Sequence, residues 1–455
     1  FAFRNHANYQ SNNFFMTDKI NKKNIKNYKI HWSYQYQNIG NYNIQASPLY
    51  YDGIIITPQS KNSIIGIDFE TKQKIWEVEY QGPIARRGMV IDKYEKKNAL
   101  FINYKEGLLI LDIYSGKILK EIKHNSIKAV QVITKYSTLK ELESKLSLVP
   151  PIITKNHLII SYTNSEIIKY DIKTEKVIWK TSLRKKDNLL GTSNWGGMSY
   201  DNDTEIIYIT TGNPRSKSLS NFPIGIYREG SNLYSNSLVA IDSNTGEVLW
   251  YYQDAIHDLW DLDLSFPPII SEIEVSDKIK KRVVVIVGKT GNIMVFDAIS
   301  GESIHKYSKV ITPKSSIPGE VLSSYQPVSI NPEKILNMKI NKEELANFND
   351  EIFDYNLKIF NKSSSEEYIA PIFNENIVVR GPTGGGQWFG GSIDNQGILY
   401  FQSNNSPFQI SLSSKQLIEN ILENNGREKY KKYCSSCHGV NRDKSPIEKP
   451  NISLA

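Results

Sequence analysis

Cysteine is nearly absent from this chain of 455 residues: only Cys434 and Cys437 occur, close together near the C-terminal end. That excludes a disulfide framework and a four-thiolate zinc site. No run of 18 or more apolar residues is present, so no segment reads as a transmembrane helix. The 27 glycines show no three-residue period, which excludes a collagen-like chain. A content of 40% hydrophobic and 11% aromatic residues excludes a wholly disordered one. The opening Phe1-Ala2-Phe3-Arg4-Asn5-His6 lacks the basic, apolar and small-residue regions of a signal peptide, so the natural N-terminus is expected to lie upstream. A concentrated basic stripe is missing too. The net charge of +7 comes from pairs such as Lys22-Lys23 and Lys185-Lys186 scattered along the chain, a pattern that argues against a nucleic-acid partner.

What is present is a series of short β-branched and aromatic runs bounded by Gly, Asn and Asp turns, among them Ile54-Ile55-Ile56-Thr57, Leu158-Ile159-Ile160-Ser161 and Ile206-Ile207-Tyr208-Ile209. A unit of strand, Asp-headed turn and strand repeats imperfectly. Asp68, Asp171 and Asp242 head copies that close on Trp76, Trp179 and Trp250; Asp112 and Asp297 head copies without the Trp. The intervals between these aspartates are 44, 59, 71 and 55 residues. Repeats of this size built from short strands predict an all-β propeller with one four-stranded sheet per blade. A sixth copy is expected around Gly397-Ile398-Leu399-Tyr400. From Ser414 to Tyr433 the period becomes helical, which places a domain boundary near residue 412, with 1–411 as propeller and 412–455 as a second unit.

The phrase Asp-x-x-Thr/Ser-Gly-x-x-x-Trp resembles that of quinoprotein propellers, the dehydrogenases that use pyrroloquinoline quinone (PQQ), and the resemblance runs from about Ile20 to Asn405. It implies an eight-bladed family fold whose last blades lie outside this chain. Asn194-Trp195-Gly196-Gly197, Tyr208-Ile209-Thr210-Thr211-Gly212-Asn213-Pro214 and His257-Asp258-Leu259-Trp260-Asp261-Leu262-Asp263 follow in the family's order. The resemblance implies Trp195 as the floor beneath the quinone, Asn213 as a metal ligand and Asp261 as general base. The chemistry agrees: a flat tricycle needs an aromatic stacking partner, a hard cation needs oxygen ligands, and removal of a hydroxyl proton needs a placed carboxylate. Singly, Trp195 and Trp260 read as core aromatics and the aspartates as turn residues; the ordered set reverses that preference. By the same resemblance Lys289 reaches the quinone oxygens, Arg87 holds a cofactor carboxylate, and Ser147, Trp388 and Asn404 line the pocket. Asp263 is expected to add charge to the metal site, with calcium favoured over a lanthanide.

Two departures from the family stand out. Gln81-Gly82-Pro83 occupies the region where some members carry an adjacent Cys pair. The loop expected to supply a metal-binding Glu is shortened to Tyr162-Thr163-Asn164-Ser165-Glu166, with Glu166 as a possible substitute ligand.

Cys434-Ser435-Ser436-Cys437-His438 carries the spacing of a c-type haem attachment site, with His438 as the proximal iron ligand; a redox dithiol is the competing reading. All five methionines precede His438, so a distal ligand is expected beyond Ala455. Together these features predict a periplasmic quinohaemoprotein that oxidises an alcohol, polyol or sugar and passes electrons through haem c to a cytochrome or quinone acceptor. The alternatives are a non-catalytic scaffold built from the same repeats and a degenerate enzyme that binds quinone without turnover.

Overall fold

The computed structural model describes residues 4, 6–17, 19–36, 44–80, 84–104, 107–123, 147–185, 189–190, 192–216, 225, 228–276, 278–317 and 319–412. The haem motif at Cys434, Cys437 and His438, the helices expected after Ser414, and Gln81-Gly82-Pro83 lie outside the described residues.

Four sheets, each of four antiparallel strands, follow one another along the chain. Leu49–Tyr51, Ile54–Pro58, Ser63–Asp68 and Lys74–Glu79 form the first; Ile84–Tyr94, Lys97–Tyr104, Gly107–Asp112 and Ile118–Lys123 form the second. The third holds Ile152–Thr154, His157–Ser161, Glu166–Asp171 and Lys176–Ser182, and the fourth Met198–Asp201, Ile206–Thr210, Ser237–Asp242 and Val248–Gln253. A fifth contains Ile269–Ser276, Ile279–Val287 and Ile293–Asp297. A hairpin of Gly385–Ile393 with Leu399–Asn404 holds the sixth repeat anticipated around residue 398. The all-β propeller expected from the repeats is the observed architecture. The helix α1, Asp350–Phe360, is an insertion capped by the Asn349 side chain, which accepts the Ile352 N–H at 2.8 Å.

The repeat motif is the device that joins one sheet to the next. Each Asp side chain accepts backbone N–H groups in its own turn, as Asp242 does from Asn244 (2.7 Å) and Thr245 (2.8 Å). Trp76 then donates its indole N–H to the Ile113 carbonyl of the following sheet at 2.8 Å, Trp179 to Ser243 at 3.0 Å and Trp250 to Ala298 at 3.3 Å. Each indole also packs on a glycine of that next turn. A Cβ on Gly116, Gly246 or Gly301 would lie 2.8, 2.7 or 2.5 Å from Trp76, Trp179 or Trp250, and all three glycines have positive φ. Where the second sheet lacks the Trp, Lys120 stands in its place. It donates to the Ile172 carbonyl at 3.0 Å and pairs at 2.6 Å with Glu175, which replaces the glycine. An ion pair there substitutes for an indole-on-glycine contact.

Between neighbouring sheets lie continuous apolar clusters. Ile56, Ile64 and Trp76 of the first sheet pack with Leu100, Ile102 and Leu109 of the second, and Tyr208, Leu238 and Trp250 of the fourth with Val284, Ile286 and Phe296 of the fifth. Residues 4 and 6–13 lace the inner strands together. Arg4 bridges Val90, Tyr9 accepts from Tyr200 N at 2.8 Å, Gln10 from Ile270 N at 2.9 Å and Asn12 from Ile393 N at 2.9 Å. Among the described residues no helix is long and apolar enough to cross a membrane.

Candidate active site

In an antiparallel sheet the start of the first strand and the end of the second lie at the same edge. Most of the propeller residues anticipated above lie where that rule applies. Trp195 precedes Met198–Asp201 and Asn213 follows its partner Ile206–Thr210, while Asp261 and Asp263 precede Ile269–Ser276 and Lys289 follows its partner Ile279–Val287. Arg87 lies near the start of Ile84–Tyr94, Trp388 near the start of Gly385–Ile393, and Asn404 faces Gly385 across that hairpin.

Asp263 is the hub of the cluster. Its Oδ2 accepts the Trp195 indole N–H at 2.8 Å and the Asn213 backbone N–H at 3.0 Å, and its Oδ1 lies 3.3 Å from Lys289 Nζ. Burial pushes this carboxyl up, but the Lys289 ammonium and the two N–H donors outweigh it and hold Asp263 below the usual range. The Asn213 side-chain amide donates to Asp261 Oδ1. Lys289 also donates to the Asp261 carbonyl at 2.9 Å and stays 4.0 Å from its carboxylate. Burial and the neighbouring Asp263 charge push Asp261 up to about 7, with Lys289 opposing.

Arg87 crosses the site above the indole. Its guanidinium lies 4.7 Å from the Trp195 ring and 4.8 Å from the Trp388 ring, and it donates to the Trp195 carbonyl at 3.0 Å. Lys289 Nζ lies 5.7 Å from the Trp195 ring. One indole is therefore approached by two cations and anchored by one carboxylate. Such a surface suits a flat polyanionic aromatic molecule, and the acidic pair beside an amide suits a hard cation.

Other expectations fall outside this cluster. Ser147 is buried, but the hydrogen bonds of its hydroxyl run to Asn103 (3.1 Å) and the Val149 carbonyl (3.2 Å). Asn404 is positioned by the hairpin alone. Glu166, the expected substitute ligand, starts the strand Glu166–Asp171 and pairs with Lys180 of the adjacent strand at 2.8 Å. The shortened loop is a tight turn closed by Ser165 N to Tyr162 O at 3.1 Å, which leaves no length to carry a carboxylate inward. Among the described residues no group of three His, Cys, Asp or Glu side chains stands ready for a metal, so an ion here would depend on the Asn213 amide beside the two aspartates.

Several supporting residues escape sequence reasoning. The Asp258 carboxylate accepts Trp260 N and Leu262 N at 2.7 Å each, and Asn236 at 3.0 Å, which presents Asp261 between the two tied amides with φ of 63°. The Asp258 carbonyl accepts from Arg228. Gly212 leaves room for the hub, since a Cβ there would stand 2.8 Å from Asp263 Oδ2 and 3.0 Å from Trp195 Nε1. Only the Thr-Gly-Asn run hinted at Gly212, and nothing local hinted at Arg228 or Asn236.

Residues 4–449 match the PQQ family described as "Glucose/ethanol/alcohol dehydrogenase, beta-propeller domain". The chain is 24% identical over 396 residues to a quinohemoprotein alcohol dehydrogenase of Comamonas testosteroni, covering 72% of this chain and 52% of that one. It is 27% identical over 238 residues to a quinate/shikimate dehydrogenase (quinone) of Acinetobacter baylyi, covering 49% and 28% respectively. The structure aligns with that of a europium-containing methanol dehydrogenase with a TM-score of 0.64 at 16% identity, over 91% of this chain and 70% of the other. The chain thus spans about half the length, or less, of the curated relatives it matches.

Proposed function

This chain belongs to the PQQ glucose/ethanol/alcohol dehydrogenase β-propeller family, and from that premise we propose that it is the propeller of a quinohaemoprotein dehydrogenase acting on the hydroxyl of an alcohol, polyol or sugar. The observation that carries the reading is the convergence of Asp261, Asp263, Asn213, Lys289, Arg87 and Trp195 from strand ends of three sheets, the second, fourth and fifth. Trp195 would hold the quinone by its ring face, with Arg87 and Lys289 meeting its acidic groups. Asn213, Asp261 and Asp263 would hold calcium in preference to a lanthanide. When bound, the quinone supplies a two-electron acceptor and the ion a hard Lewis acid. Asp261, tied by its neighbours between two fixed amides, takes the substrate's hydroxyl proton on its carboxylate. Lys289 stays charge-paired with Asp263 and places a positive group beside the reacting centre.

Residues 412–455 form the start of a cytochrome c unit in this reading. Cys434 and Cys437 would bind haem c covalently and His438 its iron, supplying one-electron chemistry toward a cytochrome or quinone partner. Covalent haem is attached outside the cytoplasm, which supports a periplasmic location. The pairing of Glu166 with Lys180 favours a second reading, a propeller that binds quinone without turnover.

Asp261→Asn separates the two readings. The amide keeps the shape and removes the basicity, so quinone binding should persist while dye-linked turnover falls by roughly 10²–10⁴-fold. Wild-type protein that binds quinone with calcium but oxidises no alcohol, polyol or sugar would establish the second reading.

A further inference from the structure

The turn that presents Asp261 is held from its far side by a pair that no part of the proposed reaction requires. His257 begins the turn at φ 53° with its side chain 3% exposed, and Glu320, from the loop ahead of the strand Tyr325–Ser329, is fully buried against it. His257 Nε2 lies 2.7 Å from Glu320 Oε1, and Nδ1 lies 2.7 Å from the Gly230 carbonyl oxygen. The other carboxylate oxygen, Oε2, accepts the Gly225 N–H at 2.5 Å. A carbonyl only accepts, so Nδ1 donates to Gly230, and Nε2 meets Oε1 in a second hydrogen bond. Both ring nitrogens and both carboxylate oxygens are therefore committed, and the ring cannot rotate without breaking two buried hydrogen bonds.

These contacts tie together three segments separated in sequence: Gly225 and Gly230 from the insertion before Ser237–Asp242, the loop around Glu320, and the catalytic turn. The tie is directly upstream of Asp258, whose carboxylate fixes Trp260 N and Leu262 N on either side of Asp261. We propose that His257 and Glu320 are positioning residues that set the direction of the Asp261 carboxylate through the Asp258-capped turn. This inference rests on Asp261 being the base. A side chain two bonds from a poorly anchored backbone drifts by an ångström or more, a displacement large enough to cost about 10²-fold in rate.

Glu320→Gln is the geometric control: its carbonyl accepts from Gly225 N–H and its amide donates to a neutral Nε2, so every contact persists. Glu320→Ala removes them, and Glu320→Asp draws the carboxylate back by one methylene should the alanine variant prove too unstable to isolate. Amide hydrogen exchange across residues 257–263 is measured on quinone-free protein, and steady-state turnover on protein loaded with PQQ and calcium. Trp fluorescence reports quinone affinity. The expected result is exchange at least about 10-fold faster in the alanine or aspartate variant. Its kcat should fall about 10–100-fold, with KM and quinone affinity within about two-fold of wild type, and glutamine should restore wild-type values throughout. Unchanged exchange in the alanine and aspartate variants overturns the proposal, as does faster exchange with unchanged kcat, or a glutamine variant that behaves like alanine. Failure of the base assignment shows separately, as full turnover in Asp261→Asn.

Discussion

Lys289 Nζ lies 3.3 Å from Asp263 Oδ1 and 4.0 Å from Asp261 Oδ2, so one buried cation serves two carboxylates unequally. The nearer carboxyl is held below the usual range and the farther one is pushed up to about 7. Burial and the Asp263 charge raise Asp261 while Lys289 and the N–H donors lower Asp263, which in the proposed reaction suits Asp261 to take the proton and Asp263 to stay anionic.

Lys289→Met should expose the whole arrangement. Removing one partner of a buried ion pair costs about 3–5 kcal/mol, because the other charge remains without compensation. The expected result is a lower melting temperature of the quinone-free protein and quinone binding weakened by roughly 10-fold or more, read by thermal denaturation and Trp fluorescence titration. Wild-type binding by the variant would remove Lys289 from the cofactor site.

Gly212→Ala tests the hub with a single methyl group. The new Cβ would press on both Asp263 and the Trp195 indole N–H, parting the bond that anchors the ring. The backbone at Gly212 is not left-handed, so folding should cost only about 1–3 kcal/mol from overpacking. Quinone affinity should fall about 10-fold while the far-ultraviolet circular dichroism is retained, whereas undiminished affinity would mean that Trp195 needs no anchor.

The metal proposal carries a pH signature. Asp261 titrates near 7 when folded and at the ordinary 3.8 when unfolded, so between these values the native metal-free protein binds more protons than the unfolded chain. Its stability should therefore fall as pH rises through that window. A cation competes with the same proton, so calcium should raise the melting temperature little at about pH 5 and markedly at about pH 8. Thermal shift with calcium, lanthanum or chelator at both values reads this. An equal calcium effect at both pH values places the ion elsewhere, and a response to lanthanum alone reverses the choice of metal.

Covalent haem is checked apart from turnover. Protein produced with cytochrome c maturation machinery should stain for haem peroxidase on a denaturing gel, and the Cys434→Ala, Cys437→Ala double variant should not. An unstained wild-type band removes the cytochrome reading of residues 412–455.

What the sequence determined by itself is the local and periodic part of this protein. Asp-headed turns close through their own backbone amides, and the Trp and Gly positions recur at fixed offsets, so the sheet, its repetition and its contact with the next sheet are written within a single unit. The order Trp195, Asn213, Asp261, Lys289 was legible only through the resemblance to quinoprotein propellers, and the structure sets each of them beside a strand end. Tertiary structure decided what depends on separate units meeting. Asp263 could be read as an added charge, but its role as hub comes from an indole, an amide and an ammonium delivered by three other segments. Lys120 and Glu175 look like ordinary surface charges until adjacent sheets bring them together where an indole and a glycine otherwise meet. Glu166 reads as a displaced ligand until its strand register sets it beside Lys180. Arg228, Asn236 and Glu320 carry no local signal at all. Their partners lie between 4 and 95 residues away, and a buried hydrogen bond leaves no trace in a sequence unless the fold that shields it from water is already known.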